Sequence, residues 1–166
     1  MKILKSIILL VFTLSLMQSC IVSERPDMAF FSNSEYDYKD AKFVSMNVPL
    51  FLAKPFIRKA LREDHEDEEV IHLINKVSKI KVLTVENGNQ LMLKDYANYL
   101  SDNDYEDWAT IKHDGDKVNI RVKQTGETIK NMMITVNSDK ELVFVDVKGN
   151  FTADDISRFI NSVSDK

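Results

Sequence analysis

Trp108-Ala-Thr-Ile-Lys-His-Asp-Gly-Asp-Lys-Val-Asn-Ile-Arg-Val-Lys123 decides the fold. Asp114-Gly115 is a strong two-residue hairpin signal, because the turn that matches strand twist needs backbone angles that aspartate and glycine tolerate. Setting the turn there pairs Ile111 with Val118 and Ala109 with Ile120 on one face. The opposite face then sets Trp108 against Arg121, a predicted cation–π contact. Thr125-Gly126 predicts a second turn, into residues 129–136, with Val122 opposite Ile129 and a bulge near Lys130. Ser138-Asp139 predicts a third, into residues 141–147, with Ile134 opposite Val143 and Met132 opposite Val145. Four consecutive strands joined by tight turns make an antiparallel meander.

Outward from the meander, Thr152 and Asp155 read as the capping pair of a last helix. Phe151 and Ile156 flank them as a hydrophobic staple, and Ile156, Phe159, Ile160 and Val163 form the buried stripe. Upstream, residues 90–100 resemble a helix with Leu91, Met92, Tyr96, Tyr99 and Leu100 on its apolar side. Residues 79–86 alternate apolar side chains on both faces, Ile80 and Val82 against Leu83 and Val85, as an interior strand does. Residues 63–69 hold six acids, interrupted by His65, ahead of a stripe made by Val70, Ile71, Leu73, Ile74 and Val77. Acids at a helix start are favoured by its positive dipole end, and Asp64 is the expected cap. Phe43 to Met46 reads as a short strand, followed by a helix near Val48 that Pro55 interrupts. These elements predict an α+β fold: a four- to five-stranded antiparallel sheet with amphipathic helices packed on one face.

The N-terminus has a separate logic. Lys2 and Lys5 precede an uncharged, mostly apolar run from Ser6 to Met17, the pattern of a secretory leader. That run is short of the roughly 20 apolar residues a spanning helix needs. Directly after Ser19 stands Cys20, the chain's one cysteine. A small residue before a cysteine at this boundary resembles the lipobox of bacterial lipoproteins, which predicts acylation at Cys20. The expected organisation is residues 1–19 as signal peptide, 20–42 as a lipid-anchored tether and 43–166 as one α+β domain. Phe30, Phe31, Tyr36 and Tyr38 mark part of the tether as able to dock on that domain.

Loss of Lys2 and Lys5 with the leader takes the formal charge from −4 to −6. A net-acidic exported domain without clustered Lys and Arg is not a nucleic-acid binder. With Cys20 acylated, no disulfide or thiolate metal site remains. His65, Glu69 and His72 have the wrong spacing for a zinc-protease helix, where the second histidine follows the first by four residues. Asp102, Asp104 and Glu106 alternate like a calcium loop, but Asp107 and His113 stand where such a loop needs glycine and glutamate. With four glycines in the chain, no phosphate-cradling or dinucleotide loop appears. No cofactor or metal is expected. Tyr96, Tyr99, Trp108 and Arg121 are the candidate ligand or partner surface.

Taken together, Glu66-Asp-Glu-Glu69, Lys79-Ile-Lys-Val-Leu-Thr-Val85, Tyr105-Glu106, Lys117-Val-Asn-Ile-Arg-Val-Lys123 and Ile129-Lys130, with Leu142-Val-Phe-Val145, Gly149-Asn-Phe151 and Asp154-Asp-Ile156, carry a family resemblance. Over roughly residues 43–160 the chain resembles the small lipoproteins of Bacteroidetes-type bacteria grouped as domain of unknown function 4252. The resemblance implies an envelope lipoprotein with no assigned chemistry. The expected role is a non-enzymatic module on the periplasmic side of the outer membrane, held by its lipid and either binding a protein or peptide or scaffolding an envelope complex. An accessory of envelope-stress or sigma-factor signalling is the alternative, and a hydrolase or metal-dependent enzyme the second alternative. Cys20→Ser is expected to abolish incorporation of a fatty-acid analogue during growth; equal labelling of the variant would refute lipidation at this site.

Overall fold

The computed structural model describes residues 22–32, 38, 40–51, 53–55, 68–113 and 115–164. The leader, Cys20, Tyr36 and the acidic run from Glu63 to Asp67, with its Asp64 cap and His65, lie outside the described residues. In chain order the elements are β1 (Val22–Ser23), α1 (Ala29–Ser32), β2 (Lys42–Val48), α2 (Glu68–Lys76), β3 (Val77–Glu86) and α3 (Gln90–Asp102). They continue through β4 (Glu106–His113), β5 (Asp116–Thr125), β6 (Thr128–Asn137) and β7 (Glu141–Phe151) to α4 (Ala153–Ser164). Residues 50, 51 and 53–55 are also helical.

The strands form one antiparallel sheet in the order β1-β2-β3-β7-β6-β5-β4. The class is α+β as expected, but the sheet is larger. Six strands have seven residues or more, and β1 adds a two-residue edge. Pairings β2–β3 and β3–β7 join strands far apart in sequence, so no hairpin turn announces them.

The first hairpin has the predicted register, with Ile111 opposite Val118 and Ala109 opposite Ile120. Gly115 at φ +92° takes the left-handed conformation that the tight turn demands. The bulge at Lys130 is also present, between the pairs Lys123–Asn131 and Gln124–Ile129. The next two registers differ from expectation. Thr125 pairs with Thr128, one residue later than read, and with the bulge this brings Val122 opposite Met132 instead of Ile129. The third connection is a four-residue loop, because Ser138 bonds Glu141 through both its N–H and its hydroxyl. Ile134 therefore faces Val145, and Met132 faces Val147.

The helices do not share one face. Met92, Tyr96 and Leu100 of α3 and Phe30 and Phe31 of α1 pack on Leu83, Val85, Leu142 and Phe144. Leu73 of α2 and Ile156 of α4 pack on Ile120, Val122, Met132 and Val147. Register places these two sets of strand residues on opposite faces. The one-sided expectation fails because β3 and β7 carry apolar side chains on both faces, and each face needs its own cover. The stretch read as tether folds against the sheet over residues 22–32: Phe30 lies 5.3 Å from Tyr96 and Phe31 4.9 Å from Phe144, ring centre to ring centre.

The start of α4 is as the sequence predicts. Asp155 N–H donates to the Thr152 hydroxyl at 3.2 Å, and Thr152 N–H donates to the Asp155 carboxylate at 2.7 Å. Phe151 and Ile156 are both fully buried beside the cap. Asp155 also accepts from Lys76 of α2 at 2.6 Å and stands 3.3 Å from His72, so one carboxylate ties the two helices together. Gly149 lets the end of α2 come this close, since a Cβ there would lie 2.7 Å from the Lys76 carbonyl.

Burial alone would raise the Asp155 pKa, but the Lys76 ammonium and the two Thr152 bonds outweigh it and hold the carboxyl at about 2. A folded pKa below the unfolded value gives stability that is complete above about pH 4 and lost as pH falls toward 2. Denaturant melts are therefore expected to show Asp155→Asn weaker than the parent by on the order of 1–2 kcal/mol at pH 7, with the gap closing near pH 2. A pH-independent gap would mean that the ion pair contributes nothing.

Candidate functional site

On the face covered by α1 and α3, the strands change character from one side to the other. Beneath Met92, Tyr96 and Leu100 lie the apolar residues of β3 and β7. Further across, β6 and β5 turn polar side chains to the same face: Thr135 and Asn137, then Lys117, Asn119 and Arg121. Their alternating neighbours Val118, Ile120, Ile134 and Val136 serve the other face. Helix α3 follows its apolar stripe and leans over β3 and β7, and among the described residues the polar half of the sheet is left uncovered. The gap is a cleft of about 330 Å³, walled by Gln90, Leu93, Lys94 and Ala97 of α3 and floored by the polar residues of β5 and β6. That volume is at the lower end of the range for small-ligand sites.

Both ends of α3 are fixed. The Asn89 side chain caps it by accepting from Met92 N–H at 2.9 Å. At the other end Asp104, at φ +62°, occupies the left-handed position usually given to glycine, and Tyr105 N–H returns to the Leu100 carbonyl at 3.0 Å. This explains Asp102, Asp104 and Glu106 as a helix terminus leading into β4. Lys123 donates to the Asn103 carbonyl at 2.8 Å, placing a cation at the negative end of the helix dipole.

Arg121 fastens the helix to the sheet. Its guanidinium grips Asp107 through two bonds of 2.6 and 2.9 Å and donates to the Ala97 carbonyl at 2.5 Å. Burial would raise the Asp107 pKa, but this guanidinium keeps it below the ordinary carboxylate value. Asp107, not Trp108, is opposite Arg121 in the ladder, because a bulge at Trp108 turns the indole to the other face. Trp108 packs there against the α2–α4 core. The predicted cation–π pair is thus replaced by a two-bond ion pair, the better match to a planar guanidinium. Of the sequence-predicted surface, Arg121 and Tyr96 line the cleft, Tyr99 is half-buried against Phe30, and Trp108 belongs to the opposite core. Leu91, read as part of the apolar side of α3, is 59% exposed.

Tyr96 is 2% exposed, and its hydroxyl has no hydrogen-bond partner among the described residues. Burial pushes its pKa up, with Tyr105 and Asp146 adding to the effect. Tyr96 and Leu100 also line a second cavity of about 140 Å³ behind the first, with Tyr105, Asn131 and Asp146 on its wall. In that cavity the Tyr105 hydroxyl donates to Asn131, whose amide donates to Asp146 at 2.5 Å. Burial, with Asp146 and Tyr99 nearby, pushes Tyr105 up to about 12. The amides Asn119 and Asn137 and the lysines Lys94 and Lys117 complete the polar site; sequence reading missed them, since solvated strand positions carry the same residue types.

Among the described residues, no three His, Cys, Asp or Glu side chains gather as a metal site would require. His72 faces Asp155 and Lys76. No described helix is long and apolar enough to cross a membrane.

Comparison with known proteins bears out the family named in the sequence resemblance. The chain belongs to the family described as domain of unknown function DUF4252, whose profile matches residues 36–159. No curated protein and no solved structure matches it.

A buried hydroxyl without a partner costs roughly 1–3 kcal/mol relative to a satisfied one. Tyr96→Phe is accordingly expected to leave the unfolding free energy from denaturant melts unchanged or raise it by up to ~1 kcal/mol. A clear loss of stability would show that the hydroxyl has a structural partner.

Proposed function

We propose that this chain is a lipid-anchored envelope protein whose sheet domain binds an acidic segment of a partner protein in the cleft beside α3. One observation carries the binding reading: among the described residues, cations line the cleft and no carboxylate does, in a chain that is net acidic. Arg121 is already neutralised by Asp107. Lys94 and Lys117 are exposed and have no hydrogen bond or ion pair among the described residues. Around them, Gln90, Asn119 and Asn137 offer amides, and the N-terminus of α3 adds the positive end of its dipole. The unpartnered Tyr96 hydroxyl supports the same reading, because a buried polar group without a partner is commonly retained for function.

The lining residues include no carboxylate, histidine, serine or cysteine. Lys94, Lys117 and Tyr96 could do acid–base or nucleophilic work, but among the described residues none of them has the hydrogen-bonded partner that an activated base or nucleophile needs, which supports recognition over catalysis. The anchor rests on the leader and Cys20, as read from the sequence. An acidic peptide segment presents carboxylates to both Lys94 on α3 and Lys117 on β5.

Fluorescence polarisation with a labelled hexaglutamate peptide tests the binding reading. The parent is expected to bind in a salt-sensitive manner. Lys94→Glu with Lys117→Glu is expected to weaken binding by roughly tenfold or more, as two reversed charges at a shared site imply. No binding by the parent, or equal binding by the double variant, would exclude this cleft as an acidic-peptide site.

A further inference from the structure

We propose that the uncovered half of the sheet's other face, around Val44, Met46 and Phe51, lies on the bilayer that holds the acylated Cys20; the inference rests on the anchoring reading above. Helices α2 and α4 cover β5, β6 and β7 on this face, and among the described residues no helix covers β2. There Val44 is 44% exposed and Met46 38%, next to each other on the outward side of β2. Phe51, just past the strand, is 80% exposed. Its exposure is built into the structure. Leu50 packs into the α2–α4 core, and Lys54 donates to the carbonyls of Val77 at 2.5 Å and Asn75 at 3.2 Å. The turn is thus pinned on both sides of Phe51 while the ring stays outside.

The anchor's position decides what this surface meets. Cys20 precedes β1 by one intervening residue, and Val22 is already paired with Met46. Two residues reach at most about 7 Å. Because β1 runs antiparallel to β2, the Val22 end of β1 lies toward the Val48 end of β2, the end that leads to Phe51. A lipid inserted from Cys20 therefore holds the membrane beside these three side chains. Apolar side chains at that level enter the boundary between headgroups and acyl chains, as the apolar face of an interfacial helix does. The acidic-peptide cleft then points away. Its floor on β5 lies four strands across from β2, about 19 Å by strand spacing, and on the opposite face of the sheet.

The test uses the full lipidated chain, purified from membranes and reconstituted in phosphatidylethanolamine–phosphatidylglycerol vesicles. Phe51→Trp adds a reporter, and the parent supplies the background of Trp108, which is packed against the other core. The added emission is expected to lose roughly half its intensity when the lipids carry brominated acyl chains, as insertion about 5–10 Å into the boundary implies. The parent's emission is expected to be unaffected. If the protein floats with the vesicles but the added emission ignores bromine, the membrane-facing surface is refuted while the anchor stands. A concentration-dependent blue shift without bromine quenching would assign the surface to a second copy and likewise refute the proposal. Failure to float would refute the anchor itself.

Discussion

Strand β7 has to be buried on both faces, and the rest of the molecule is arranged around that need. Leu142 and Phe144 point one way, and Val145 and Val147 point the other. No single layer of helix can cover both sets. The chain meets the requirement with two half-layers placed diagonally: α1 and α3 over the β3 side of one face, α2 and α4 over the β5 side of the other. Among the described residues, each half-layer leaves the remaining half of its face uncovered. What stands there is a choice of sequence rather than of topology. One open half carries lysines, amides and Arg121; the other carries Val44 and Met46. The two candidate interaction surfaces are thus both consequences of covering β7 twice.

Helix α3 sits at a boundary between apolar and polar floor, and different forces hold its two sides. Toward β3 and β7 the helix is held by packing, with Met92 and Tyr96 essentially fully buried. Toward β5 it is held by two long cations that span the gap, Arg121 to the Ala97 carbonyl and Lys123 to the Asn103 carbonyl. Both act on the C-terminal half of the helix. The N-terminal half, with Gln90 and Lys94, has no such strut among the described residues. The cleft is accordingly fixed at one end and open at the other, where the helix dipole is positive.

Legibility in the sequence followed the range of the interactions. The β4–β5 hairpin register, the Lys130 bulge and the Thr152–Asp155 cap were readable because each is determined by residues a few positions apart. The later registers slipped where a loop length depended on side-chain bonds, as at Ser138. Trp108 was misplaced for a related reason. Strict alternation set the indole opposite Arg121, but the ladder yields a residue when a carboxylate next door can pair with the guanidinium. The two-faced arrangement was foreshadowed by Ile80, Val82, Leu83 and Val85, whose apolar character on both faces required two covers. The cleft is half visible in the sequence, where Tyr96 and Arg121 stand among the candidate surface residues. The lysines and amides around them carry no local signature, because the site exists only where α3 stops covering the sheet.

The same reasoning separates Tyr96 from Tyr105. Both hydroxyls are drawn into the region between α3 and the sheet, and burial raises both pKa values. Tyr105 is accounted for by the fold: it donates to Asn131, which donates in turn to Asp146, so β4 is tied through β6 to β7. Tyr96 has no such account. Its ring is needed where Phe30, Phe31 and Phe144 converge, yet phenylalanine would supply that ring without the cost of burying a hydroxyl. The ring is therefore explained by packing and the oxygen is not. The hydroxyl of a side chain that lines two cavities, beside a cleft whose Lys94 and Lys117 have no ion pair among the described residues, is a group that folding alone leaves unexplained.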